Sequence, residues 1–153
     1  MISGALFVGT WRQTEVWHDD IALWAHAREA NPDQPLAHLN YGLALDQSGN
    51  HDEALQKLQQ ASQLEVDPEV WTLIAEVYGE QNKTAQALQA LQRAQNINPA
   101  FEMTYAVRGN VYETSGDFKD AESEYQHALR IDPYNDAVRD AVKRVQRKLA
   151  QAK

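Results

Sequence analysis

Five histidines, His18, His26, His38, His51 and His127, are the side chains of this 153-residue sequence best suited to hold a metal or move a proton near neutral pH. Their spacing builds neither site. A helical zinc pair wants two histidines four residues apart on one face, whereas His18 and His26 are eight apart, with Asp19 and Asp20 beside the first. They read as surface residues rather than ligands. With no cysteine, disulfides, thiolate zinc sites, iron–sulfur clusters and cysteine nucleophiles are excluded together. Ser48-Gly49 and Ser115-Gly116 read as turn residues rather than nucleophile elbows. Neither G-x-G-x-x-G nor G-x4-G-K-S/T occurs, so nucleotide chemistry has no support. Two acid pairs remain, Asp52-Glu53 and Glu122 with Glu124. The first falls where a helix begins and carboxylates favour the positive end of the dipole; both read as solvated helix surface. No catalytic residue, metal ligand or cofactor site is expected, and the chain is predicted not to be an enzyme.

The charge pattern removes another class. Residues 139–153 hold Arg139, Lys143, Arg144, Arg147, Lys148 and Lys153 against Asp140 alone, a surplus of five positive charges. The total is −8, so the preceding 138 residues carry −13. An acidic body of that kind repels phosphate backbones, and no nucleic-acid partner is expected. Hydrophobic residues make up 43% of the chain, enough to exclude a disordered polymer.

Any site must therefore be positioned by the hydrophobic pattern, which repeats at spacings of 33 and then 34 residues. Gly42, Ala75 and Gly109 share a column, as do Leu45, Tyr78 and Tyr112. Ala54, Ala87 and Ala121 follow, then Leu58, Leu91 and Tyr125, then Ala61, Ala94 and Ala128, and finally Leu64, Ile97 and Ile131. A period near 34 implies stacked helical hairpins. In the first helix of a unit, His38, Tyr41, Gly42 and Leu45 fall on one stripe of a 3.6-residue period. The small residue in that stripe lets the partner helix approach closely. Gly49, Asn82 and Gly116 stand between the two helices, where a left-handed residue stops the first. Asp67-Pro68, Asn98-Pro99 and Asp132-Pro133 end the units, and proline suits the first turn of the next helix.

These columns resemble the tetratricopeptide repeat (TPR) family. Its W-x2-L-G-x2-Y, A-x3-F, A and terminal P pattern is matched by Tyr105, Arg108-Gly109, Tyr112, Ala121, Tyr125, Ala128 and Pro133. The middle unit matches through Trp71, Ile74-Ala75, Tyr78, Ala87, Leu91, Ala94 and Pro99. The first unit departs twice: His38 replaces the aromatic, and Val66 fills the proline column with Pro68 two residues later. The resemblance spans residues 35 to 134 and implies an all-α, right-handed superhelical solenoid of helix-turn-helix hairpins.

The expected organisation is an apolar segment at 1–14, a partial repeat helix at 15–32, repeats at 35–66, 68–99 and 101–134, and a capping helix at 135–151. The partial repeat places Trp17, Ile21, Trp24 and Ala25 on one stripe. The cap turns Val138, Ala141, Val142, Val145 and Leu149 inward and surrounds them with basic residues. Ile2 to Val8 is too short to span a bilayer and reads either as a first helical turn or as the remnant after a transmembrane helix. The stretch from Trp17 to Gly42 is similar to the junction in polytopic membrane proteins of the transmembrane-and-TPR O-mannosyltransferase family. That similarity implies only an architecture, with a membrane reached through a segment upstream.

In TPR arrays the first helix of each hairpin lines the concave face where extended peptides bind. The corresponding wheel positions here are Leu39, Leu43, Asp46 and Gln47, then Thr72, Glu76, Gly79 and Glu80, then Ala106, Asn110, Glu113 and Thr114. This face holds four carboxylates and no lysine or arginine. TPR domains that grip acidic chaperone tails use groove lysines, arginines and asparagines, and Asn110 is the one match. A neutral, apolar or basic ligand is therefore expected, since a carboxylate would meet like charge in a partly desolvated concavity. Leu39 and Leu43 form an apolar patch, or else pack on the helix of Trp17 and Trp24.

The function expected is protein–protein interaction without chemistry, with no cofactor. The alternatives are an accessory domain of a membrane glycosyltransferase-like protein and a self-assembling scaffold, in which the basic last helix meets the acidic face of a second copy or an anionic lipid surface. As written the chain is expected to be soluble, in the cytoplasm or on the extracytoplasmic, periplasmic face of a membrane.

Overall fold

The computed structural model describes residues 20–151, and among these the regular elements are all α-helices. They belong to two compact units, Met1–Glu65 and Val66–Lys153. The segment 1–14, Trp17, His18 and Lys153 lie outside the described residues.

The first unit contains α1 (20–30), α2 (Pro35–Gln47) and α3 (His51–Leu64). Alpha-helix α1 brings Ile21, Trp24 and Ala25 against Tyr41, Leu45 and Ala54, the stripe that its periodicity foretold. Helices α2 and α3 approach so closely that a Cβ on Gly42 would stand 2.8 Å from Leu58 Cγ and 3.2 Å from the Ala54 carbonyl oxygen. His38, the departure from the aromatic column, is buried. Its Nε2 lies 2.7 Å from the Pro32 carbonyl oxygen and donates to it.

The second unit contains α4 (Pro68–Glu80), α5 (Thr84–Ile97), α6 (Glu102–Ser115), α7 (Phe118–Ile131) and α8 (Asp136–Gln151). Helices α4 and α5 pair, α6 and α7 pair, α6 also packs beside α4, and α8 closes on α7. Ala87, Leu91, Ala94, Ala121, Tyr125 and Ala128 are buried along the seams. Val138, Ala141 and Val145 of α8 pack on Tyr105, Ala121, Tyr125 and Ala128, which covers apolar surface that the α6–α7 pair would otherwise expose. Tyr105 repeats the task of His38: its hydroxyl donates to the Pro99 carbonyl oxygen at 2.7 Å. Two unlike side chains thus tie a helix to the proline six residues before them.

The helix stops follow one physical rule. Gly49, Asn82 and Gly116 have φ of 85°, 57° and 86°. The next N–H in each case, on Asn50, Lys83 and Asp117, donates five residues back at 2.8–2.9 Å, the Schellman arrangement that a left-handed residue makes reachable. The starts are less uniform than expected. Pro68 does open α4, with Asp67 Oδ1 accepting the Glu69 N–H at 2.8 Å. Pro99 and Pro133 instead lie three residues ahead of α6 and α8. They sit in turns where Asn98 Oδ1 accepts from Ala100 N at 2.9 Å and Asp132 Oδ1 from Tyr134 N at 3.0 Å.

No helix among the described residues is long and apolar enough to cross a membrane.

Candidate functional site

Helices α4 and α6 lie side by side, and the sequence leaves a gap between them. Gly79 on α4 has no side chain, and a Cβ there would stand 3.4 Å from Val111 Cγ2 on α6. The gap opens into a cleft of about 330 Å³. Val107 and Val111 are buried and form its apolar floor. Glu76 and Glu80 line one side, one helical turn apart on α4; Asn110 and Thr114 line the other on α6, and Asn82 closes the rim. No lysine or arginine is among the lining residues.

The sequence-derived set is therefore divided. Glu76, Glu80 and Asn110 come together around this cleft. Thr72 is corrected: it is fully buried, donating to the Pro68 carbonyl oxygen at 2.8 Å and lying 3.2 Å from the buried Thr104 hydroxyl. A threonine near a helix start satisfies its hydroxyl on the backbone and fits an interior position that the wheel assigned to the surface. Ala106 packs on the Tyr105–Tyr125–Val138 core instead of lining the cleft. Val107 and Val111 were missed because buried valines on an α-helix read as core; the glycine opposite them was the available signal. On α2, in the other unit, Leu39, Leu43 and Asp46 are half-buried and Gln47 exposed; Asp46 Oδ1 lies 2.8 Å from His51 Nδ1.

Glu113 is the third correction, because it is not an open groove acid. Arg144 grips it as a fork, Nε to Oε1 and Nη2 to Oε2, both at 2.8 Å, and Lys148 Nζ adds a bond to Oε1 at 2.9 Å. Both cations come from α8, whose basic residues the sequence placed around the apolar stripe of the cap. The Arg144 fork, with help from Lys148 and the Tyr125 hydroxyl, holds the Glu113 carboxyl down to about 2 despite its burial. Burial, with Glu113 beside it, pushes the Tyr125 phenol above its ordinary range. That hydroxyl lies 2.5 Å from Asn110 Oδ1 and 3.0 Å from Glu113 Oε2, so one proton serves two acceptors. The cleft-lining Asn110 is thereby anchored through α7 to α8. The acid pair on α7 is also structural: Glu124 accepts from Arg108 Nε at 3.0 Å, and Glu122 from Gln146 at 2.7 Å.

The family is decided by comparison with known proteins. A family model described as a tetratricopeptide repeat-like domain matches residues 26–152. The chain belongs to this family. Human tetratricopeptide repeat protein 6 is 26% identical to it over 118 residues, 75% of this chain and 23% of that protein. The chain spans between 10% and 23% of the length of such curated relatives. Among solved structures, MamA is similar with a TM-score of 0.72 at 19% identity, over 91% of this chain and 82% of that one. The first TPR domain of Spaghetti (RPAP3), solved with the HSP90 peptide SRMEEVD, is similar with a TM-score of 0.69 at 21% identity, over 76% and 93%. These likenesses and the family match establish the fold class read from the repeat columns, an all-α superhelical solenoid of TPR hairpins.

Proposed function

We propose that this TPR chain is a non-catalytic interaction module that takes a neutral, apolar or basic segment of a partner protein at the α4–α6 cleft. In this reading the hairpins at 35–66, 68–99 and 101–134 are the repeats and 135–151 is the cap. The observation that carries it is the lining of the cleft: two buried valines beneath two glutamates, with no cation among the lining residues. A basic partner would bring opposite charge to that mouth, and an acidic one would bring like charge. Support for peptide capture as such comes from the similar RPAP3 domain, which was solved with a peptide carrying two glutamates and an aspartate. The fold is shared, and the proposed charge preference is reversed. Selection of random displayed peptides on the immobilised chain tests the reading. Recovered sequences should be enriched in lysine and arginine and depleted in aspartate and glutamate; enrichment of acidic sequences would reject it.

A further inference from the structure

We infer that the α4–α6 cleft is a subsite for one long cationic side chain, a lysine or arginine of the partner segment; this rests on the reading of the cleft just given and makes it specific. The dimensions suit one such group. About 330 Å³ lies at the small end of ligand pockets, which run from roughly 300 to 1,000 Å³. Lysine and arginine are amphipathic, with an apolar stem and a charged head, and they bury the stem where apolar surface leads to a polar exit. The cleft has that sequence of surfaces. Val107 and Val111 provide the apolar floor, the missing side chain of Gly79 provides the room, and Glu76 and Glu80 line the cleft from α4.

One turn along α6 a carboxylate outside the cleft shows the same pairing chemistry within the chain. Glu113 there already holds a guanidinium in a two-point fork and an ammonium beside it, both supplied by α8. The carboxylate of this helix thus binds the proposed chemistry within the chain itself. Glu76 and Glu80, which line the α4–α6 cleft, are carboxylates of the same kind. Glu76 and Glu80 have interactions of their own within the chain. An ionised carboxylate offers about four acceptor positions, so a further donor can be accommodated.

Amide-resolved NMR titration with Nα-acetyl-arginine amide and Nα-acetyl-lysine amide tests the subsite. Nα-acetyl-norleucine amide serves as the uncharged stem and Nα-acetyl-glutamate amide as the opposite charge. The cationic probes should shift the amides of Gly79, Asn110 and Val111, with norleucine weaker by about tenfold and glutamate without effect at those amides. Gly79→Val should abolish the shifts by filling the cleft. Glu76→Gln/Glu80→Gln, which leaves the packing in place, should weaken the cationic probes to the level of norleucine. Norleucine binding as well as arginine, shifts centred on Glu113, or shifts unchanged in both variants would each overturn the subsite. Failure here is separable from failure of the broader reading. A basic peptide that still binds at the cleft while the probes do not removes the subsite alone. The absence of any basic-peptide binding removes both.

Discussion

Glu113 shows how much one side chain can organise at this molecule's C-terminal end. Its carboxylate is held in the ionised form by Arg144 and Lys148, so the folded state favours the charge more than the unfolded chain does. The stability it contributes is complete above the unfolded value of about 4.3 and is lost as pH falls toward 2. Glu113→Gln should lower stability at pH 7 by about 2 kcal/mol, a figure moderated by the solvent around the two cations. Urea unfolding at pH 7 checks this, and repeating it between pH 5 and 2 should show a shallower acid decline in the variant than in the parent. His38 and Tyr105 allow a second test. Tyr105→Phe and His38→Phe each remove one donor to a proline carbonyl and should each cost about 1 kcal/mol in the same assay. Only part of this scale was legible in the sequence. Wheel positions located Glu76, Glu80 and Asn110 because helical periodicity is local. The Arg144–Glu113 pair joins residues 31 apart on different helices, and no local pattern announces which cation reaches which acid.

At the scale of elements, close approach and turn conformation set the hairpins. A methyl on Gly109 would lie 2.6 Å from Tyr125 ring carbons. The ring cannot slide away cheaply, because its hydroxyl is held by Asn110 and Glu113. Gly109→Ala should therefore destabilise by roughly 1–3 kcal/mol, although alanine alone would favour the helix by about 1 kcal/mol. Thermal unfolding measures the net effect. The stops respond differently: Gly116→Ala at φ 86° should cost about 1 kcal/mol, while Asn82→Gly at φ 57° should be neutral or slightly stabilising. Both features are legible in the sequence, since the small-residue column and the left-handed column recur in register. The positions of Pro99 and Pro133 ahead of their helices are not. A proline is compatible both with a first helical turn and with the turn preceding it, and the side chains of Asn98 and Asp132 decide between them.

For the whole molecule, the repeat columns made the fold class legible, because the buried seam of each hairpin requires the same residue sizes at the same places in each repeat. Function was less legible, since the columns record packing and a binding face is what packing leaves over. The chain carries −8 in total, and the proposed cleft adds local acidity to that field. Long-range attraction between an acidic body and a basic peptide weakens as salt shortens the screening length from about 14 Å to about 6 Å between roughly 50 and 300 mM. The most direct measurement is calorimetric titration of two end-capped peptides that differ only in charge. One is SRMEEVD, the peptide of the RPAP3 structure, and the other is the same peptide with lysine at its three acidic positions. The lysine peptide should bind at least about tenfold more tightly at low salt, with the advantage shrinking as salt rises. Equal affinities, or a preference for SRMEEVD, would contradict the account.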